Sequence, residues 1–230
     1  MTHRSVYIVS LGPGDPGLIA LHGADVLRRA DIVFCPETKA GSRSADFLKK
    51  LGVNESRIRC YQLPMNKERA QAYAAYDRLF EEVVSRYSQG ECVAVVAEGD
   101  AGFYSSTRYL SGKLKTAAIP VVRIAGIPAF IAAAASVGLP LTEQEERLTV
   151  YPGRIDAEML RRVESGAEVA VVMKLSQCEP ELKRLLRSGE NSVWHYFENV
   201  GSHEEFYTCD KEQIAKRTFP YFSLLIIKSV

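Results

Sequence analysis

The sequence predicts two α/β domains, the first on a mostly parallel sheet and the second on a mixed one. Three observations carry this. Short β-rich runs alternate with helical patterns almost throughout. Residues 92–97 (CVAVVA) are apolar all along, as a parallel strand covered on both faces is. Near residue 143, turn residues and a charge cluster (GLPLTEQEE) interrupt the apolar pattern, which sets domains 1–143 and 144–230.

Residues 5–11 (SVYIVSL) read as a first strand ending at a Gly-Pro-Gly turn. Residues 18–30 follow with Leu18, Leu21, Val26 and Leu27 spaced for one helix face. Residues 31–35 form the second strand, stopped by Pro36; 44–51 form a short helix closed by Gly52, and 57–63 a third strand. The clearest helix spans 67–87, where Tyr73, Tyr76, Leu79, Phe80, Val83, Val84 and Tyr87 recur every three to four residues. After strand 92–97 come helix 105–114, strand 121–124 and an alanine-rich helix over 128–137. The second domain reads as strand 148–151, helix 156–164, strand 167–174, helix 179–187, strand 193–198, a short helix near 210–216 and a last strand 222–228.

Composition excludes several classes. The 230 residues carry 29 basic and 28 acidic side chains, a formal +1, so nothing global attracts nucleic acid or an acidic membrane. Five widely spaced cysteines with no CxxC argue against a disulfide framework and a zinc site, and Cys35 and Cys92 read as small core residues. The N-terminus runs straight into a strand without a signal segment, and no apolar run is long enough to span a bilayer, so the expected compartment is the cytoplasm.

Two loops carry the chemistry. Gly12-Pro13-Gly14-Asp15-Pro16-Gly17 is a GxGxxG between a strand and a helix, with Glu37 about twenty residues on. That pattern matches the dinucleotide fingerprint of an NAD(P)-dependent oxidoreductase. Pro13 and Pro16, however, remove two of the backbone donors a phosphate needs. Asp15 suits an N-cap and Pro16 a first helical position, so the loop reads as a nucleotide site, a rigid turn shaping another ligand's cleft, or a structural turn alone. The second loop, Glu98-Gly99-Asp100-Ala101-Gly102-Phe103-Tyr104-Ser105-Ser106-Thr107, follows the buried strand; its glycines leave room for close ligand approach.

Together these loops resemble those of the tetrapyrrole methylases, the class III methyltransferases. That family carries GxGPGD after the first strand and GDPxxYS/T after the fourth, here SLGPGD and EGDAGFYSST. Its Pro-Gly-Ile/Val-Ser/Thr-Ser turn is similar to Ala125-Gly126-Ile127-Pro128-Ala129, and its second-domain Met-Lys to Met173-Lys174. Phe34-Cys35-Pro36, Ser42-Arg43-Ser44-Ala45, Leu63-Pro64-Met65, YSSTRYL from Tyr104 and PYFSLLII from Pro220 resemble the branch that methylates carbon 20 of precorrin-2 or cobalt-precorrin-2. Ala101 stands where the family has proline, and Ala125, Pro128 and Ala129 replace the proline and hydroxyl residues of the third turn.

The resemblance implies S-adenosylmethionine as cofactor, S-adenosylhomocysteine as product, a tetrapyrrole acceptor, a homodimer, and a cofactor folded between the domains. The lining it implies is Pro13, Gly99, Asp100, Ala101, Gly102, Tyr104, Ile127, Pro128, Ala129, Met173, Asn199, Tyr221 and Phe222. Other acceptors of the same family, uroporphyrinogen III or a later precorrin, stay open, as does a ligand-binding protein without turnover. Methyl transfer from a sulfonium requires mainly alignment, which fits a sequence without Ser/His/Asp, HExxH or Walker patterns. For the acceptor's carboxylates, Arg43, Arg108 and Arg154 are the candidate partners, with Lys39, Lys67 and Lys174 behind them. Asp100 and Tyr104 are the catalytic candidates, and Tyr151 and His195 are further groups for proton loss, with no base assigned.

Overall fold

Alternation of side chains along a strand puts successive apolar residues on opposite sheet faces, and in the first half of this chain both faces are apolar. The computed structural model, which describes residues 5–38, 41–63 and 69–230, accordingly covers its first sheet on both sides. The strands are β1 (Val6–Ser10), β2 (Ile32–Glu37), β3 (Ile58–Gln62), β4 (Val93–Ala97) and β5 (Val121–Ile124), all parallel in the order β3-β2-β4-β1-β5. Val33, Cys35, Ala94 and Val96 pack with helices α1 (Leu21–Arg29) and α2 (Arg43–Lys50). Ile32, Phe34, Val93 and Val95 face the other way, toward α3 (Arg69–Ser88) and α4 (Arg108–Thr116).

The second sheet is mixed, in the order β6-β7-β10-β8-β9. Strands β6 (Arg147–Pro152) and β7 (Glu168–Met173) are parallel; β8 (Ser192–Glu198), β9 (Phe206–Thr208) and β10 (Ser223–Ser229) pair antiparallel. Helices α6 (Ala157–Glu164), α7 (Glu179–Ser188) and α8 (Lys211–Lys216) bury Met159, Leu182, Leu185 and Ile214 against Trp194, Tyr196 and Leu225.

Several sequence readings can be set beside the structure. The expected boundary near residue 143 differs from the division into compact units, which falls between Pro128 and Ala129. Helix α5 (Ala129–Ser136) belongs to the second unit because it packs on β10. The segment near residue 143 is tied to β10 as well: Lys228 Nζ donates to Pro140 O at 3.0 Å and to Glu146 Oε2 at 3.1 Å. Pro36 does not stop β2, because pairing with β4 ends at Phe34 and leaves no ladder bond for its missing N–H to break. Strand β9 went unread because three residues are too few for a period. Part of the motif at Leu63-Pro64-Met65, together with Lys39 and Lys67, lies outside the described residues. All five cysteines are free.

In the second unit a buried ion pair anchors the end of β8. Arg217 Nε and Nη2 donate to the two Glu198 oxygens at 2.6 and 2.9 Å, and Tyr196 donates its hydroxyl to the same carboxylate. Glu198 is 8% exposed. Burial alone raises its carboxyl, but Arg217 and the Tyr196 hydroxyl outweigh that and hold it below the ordinary value. Such a group stabilises the fold above the ordinary carboxylate pKa, and its contribution is lost as pH falls through the depressed value. Glu198→Gln should therefore cost about 3 kcal/mol at neutral pH, the lower end of the range for a broken buried pair because Arg217 keeps contact with water. In urea denaturation the gap to the wild type should close in acid. A gap unchanged at low pH would show that the charge pairing contributes nothing.

Candidate active site

The three connections that leave the carboxyl ends of β1, β4 and β5 are built to touch one another. Leu11 N donates to Ala97 O at 2.8 Å, and Gly12 and Gly99 exchange backbone bonds of 3.1 and 2.8 Å. Ser10, fully buried at the end of β1, links all three strands: its Oγ donates to Ile124 O at 2.7 Å and accepts from Ala101 N at 2.9 Å. Asp100 completes the link. Its Oδ1 accepts from Gly102 N and its Oδ2 from Gly126 N, each at 2.7 Å.

Glycine is required where the strand ends approach most closely. A Cβ on Gly126 would lie 2.5 Å from Ser10 Cβ and 2.8 Å from Gly99 O. Gly12 and Gly99 have φ of +76° and +68°, a left-handed backbone that favours glycine. The space beside Gly99 is open, with nothing within 4 Å of a Cβ built there. Gly17, Leu18, Ile19, Ala20, Ala125, Gly126 and Ile127 line a shallow cavity of about 310 Å³.

The first loop departs from a dinucleotide site. Asp15 caps a short 3-10 turn, Pro16–Leu18, accepting from Gly17 N at 2.7 Å, with Pro16 in its first position as expected. Helix α1 begins only at Leu21, not at 18, so the last glycine of the loop lies in the 3-10 turn rather than in the α-helix. Glu37 accepts from Gln62 Nε2 at 2.8 Å.

Of the expected lining, Pro13, Gly99, Asp100, Ala101, Gly102, Ile127 and Pro128 belong to these loops. Tyr104 follows in the second loop with φ +52°, about half exposed, its ring edge-on to Phe103. Residues 105–107 do not begin the helix; Thr107 N donates to Ser105 Oγ, and α4 starts at Arg108. Each Asp100 oxygen accepts from a backbone N–H, so its carboxylate clamps the loops together.

The other lining residues lie in the second unit. Ala129 opens α5. Met173, Asn199 and Phe222 share one end of the second sheet: Leu224 pairs with Met173, Ser223 with Glu198, and Asn199 N donates to Phe222 O at 2.9 Å. Tyr221, 58% exposed, meets Phe222 edge-on. Lys174 and Asn199 have φ of +58° and +50°, an uncommon backbone for residues other than glycine, and one found where a site over-determines it.

The candidate arginines lie on separate elements. Arg43 opens α2 and lies within electrostatic reach of Glu98. Arg108 donates to Tyr109 OH at 2.8 Å and, with Phe80 and Lys113, lines a different cavity, of about 600 Å³. Arg154 is exposed after β6. Tyr151 bonds Glu168 and Arg162, and His195 Nδ1 lies 2.9 Å from Tyr207 OH, so both hydroxyl and imidazole are structurally engaged.

Sequence reasoning missed Ser10, Ser44 and Glu98. Ser10 is the polar residue at the end of an apolar strand, and Glu98 a carboxylate directly after a fully buried one; both were signals. Glu98 Oε1 accepts from Ser44 Oγ at 3.1 Å. Burial pushes its carboxyl up, against Arg43 and the Ser44 hydroxyl, which pull it down.

The family model described as Tetrapyrrole (Corrin/Porphyrin) Methylases matches residues 5–215. The chain is 31% identical over 231 residues to the precorrin-2 C(20)-methyltransferase of Sinorhizobium sp, covering 95% of this chain and 93% of that protein. Its fold is similar to that of cobalt precorrin-4 methyltransferase, at TM-score 0.74 and 16% identity, covering 99% and 95% of the two chains. It is also similar to the uroporphyrin-III C-methyl transferase of Thermus thermophilus complexed with S-adenosylhomocysteine, at TM-score 0.69 and 18% identity, covering 97% and 92%.

Proposed function

The chain belongs to the tetrapyrrole (corrin/porphyrin) methylase family, and from there we propose that it moves the methyl group of S-adenosylmethionine onto carbon 20 of precorrin-2 or cobalt-precorrin-2. The observation that carries the reading is the exchange of backbone bonds between Gly12 and Gly99, which joins the two family loops at the carboxyl end of the sheet. The choice of carbon 20 is supported by the near full-length likeness to a relative of that name.

The residues present fit the cofactor. The loop floor is backbone that a Cβ at Gly126 would fill, and the space beside Gly99 is open. S-adenosylmethionine supplies an electrophilic methyl on a sulfonium, so no metal or covalent enzyme intermediate is required. The chain's task is to hold two reactants in line, which lowers a barrier by up to about 7–11 kcal/mol in favourable cases. Asp100 and Ser10 contribute by fixing the loops against each other before ligand arrives, which limits the ordering cost of binding. Arg43, at the N-terminus of α2, is the candidate for an acceptor carboxylate. The same reading has the enzyme working in the cytoplasm as a homodimer; among the described residues no helix is long and apolar enough to cross a membrane.

Calorimetric titration with S-adenosylhomocysteine should give saturable binding. Incubation with S-adenosylmethionine and reduced precorrin-2, cobalt-precorrin-2 or uroporphyrinogen III should add one methyl group to the precorrin-2 forms. Methylation of uroporphyrinogen III alone would move the chain to another branch, and no binding at millimolar ligand would end the reading.

A further inference from the structure

We propose that the Glu98 carboxylate takes the ring proton displaced at the methylated carbon, with Ser44 and Arg43 positioning it; this rests on the methyltransferase reading above. Position is the first argument. Glu98 follows β4, the central strand of the first sheet, and precedes Gly99, whose backbone is bridged to Gly12. Its main chain is therefore fixed where the cofactor loops meet.

The hydrogen bonding of the neighbouring carboxylates is the second argument. Asp100 is held by two backbone N–H groups and Asp15 by one, and an N–H cannot turn into an acceptor. Glu98 is held by the hydroxyl of Ser44, itself buried in the first turn of α2 and backed by the Ser42 cap on Ala45 N. A hydroxyl donates to a carboxylate and, after rotating, accepts from a carboxylic acid. Both protonation states of Glu98 are thus satisfied without moving the backbone, which a proton acceptor needs.

Charge is the third. The charge of Arg43 from α2 acts on Glu98, and Tyr61 from β3 interacts electrostatically with Glu98, Cys35 of β2 and Tyr76 of α3. Burial raises the carboxyl above its ordinary value and strengthens it as a base, while Arg43 and the Ser44 hydroxyl pull the other way.

The step balances. The ring carbon attacks the methyl, forming a C–C bond, and the C–S bond electrons leave with sulfur as the neutral thioether. The positive charge left on the ring is discharged when the C–H bond breaks, its electrons returning to the ring and its proton passing to Glu98, then to water.

The test uses full-length Glu98→Gln, Glu98→Asp and Ser44→Ala enzymes with precorrin-2 carrying hydrogen or deuterium at the reacting carbon. Glu98→Gln should bind S-adenosylhomocysteine as the wild type does, lose about 100-fold in kcat with little change in KM, and lose the acid limb of the kcat profile. Its deuterium isotope effect should exceed that of the wild type, and Glu98→Asp should recover part of the rate. Ser44→Ala removes a donor to the ionised form, so its acid limb should move to higher pH. Glu98→Gln that keeps its rate and acid limb overturns the assignment, as does loss of rate and cofactor binding together or a Ser44→Ala limb that stays put. A wild type that binds cofactor yet methylates none of the rings fails at the earlier reading instead.

Discussion

Replacing Gly126 by alanine should abolish detectable S-adenosylhomocysteine binding and lower the thermal midpoint. The added Cβ would sit 2.5 Å from Ser10 Cβ, 2.8 Å from Gly99 O and 3.4 Å from Gly12 N. Two of these three neighbours are backbone, which cannot rotate aside. Overpacking a well-filled site costs about 1–3 kcal/mol, and a clash with main chain belongs at the top of that range. Relief requires parting the loops, and the loops are the proposed cofactor site, so affinity should fall further than stability. Gly112→Ala, inside α4 with nothing within 4 Å of its Cβ, is the control and should be neutral or slightly stabilising. Scanning fluorimetry with and without S-adenosylhomocysteine reads both quantities. Wild-type behaviour of Gly126→Ala would mean that the loops do not pack this closely.

Asp100→Asn should be nearly as damaging although it barely changes size. Asparagine keeps one acceptor oxygen and turns the other into a donor. One of Gly102 N and Gly126 N would then face an NH2 group in place of a carboxylate oxygen at 2.7 Å. An unmatched backbone donor costs about 1–3 kcal/mol, and the surviving bond loses its charge assistance, for a total of roughly 2–4 kcal/mol. If half of this appears as weakened loop order, affinity for S-adenosylhomocysteine falls about tenfold. Calorimetry and urea denaturation measure the two parts separately. Should Asp100→Asn lose affinity with stability untouched, Asp100 would act on the ligand and not on the loops.

The parts legible in the sequence were those set by repeated local pattern. Strand 92–97 could be read because every side chain is apolar, and the structure buries all of β4. The same holds for the proline-based case against a phosphate loop, since Asp15 and Pro16 form the turn that their chemistry favours. What escaped were contacts between residues far apart in the chain. Ser10 and Ala101 are separated by 91 positions, and Ser44 and Glu98 by 54. Ala101 illustrates the difference: it stands where the family has proline, and its N–H, which proline lacks, bonds Ser10 Oγ. The tie of the segment near 143 to Lys228 is of the same kind, spanning 82 residues. Left-handed Tyr104 and Lys174 gave no signal either, since neither residue type favours that backbone.

The strand order has a further consequence for how the protein is made. Val6–Ser10 is synthesised well before Val93–Ala97 and Val121–Ile124, the two strands it lies between. During translation this apolar segment therefore waits with both edges open, and its sheet cannot close until the chain has passed residue 124 and cleared the exit tunnel. Growing chains arrested before that length should be captured by trigger-factor-type chaperones and digested readily by protease, while those arrested well beyond it should resist.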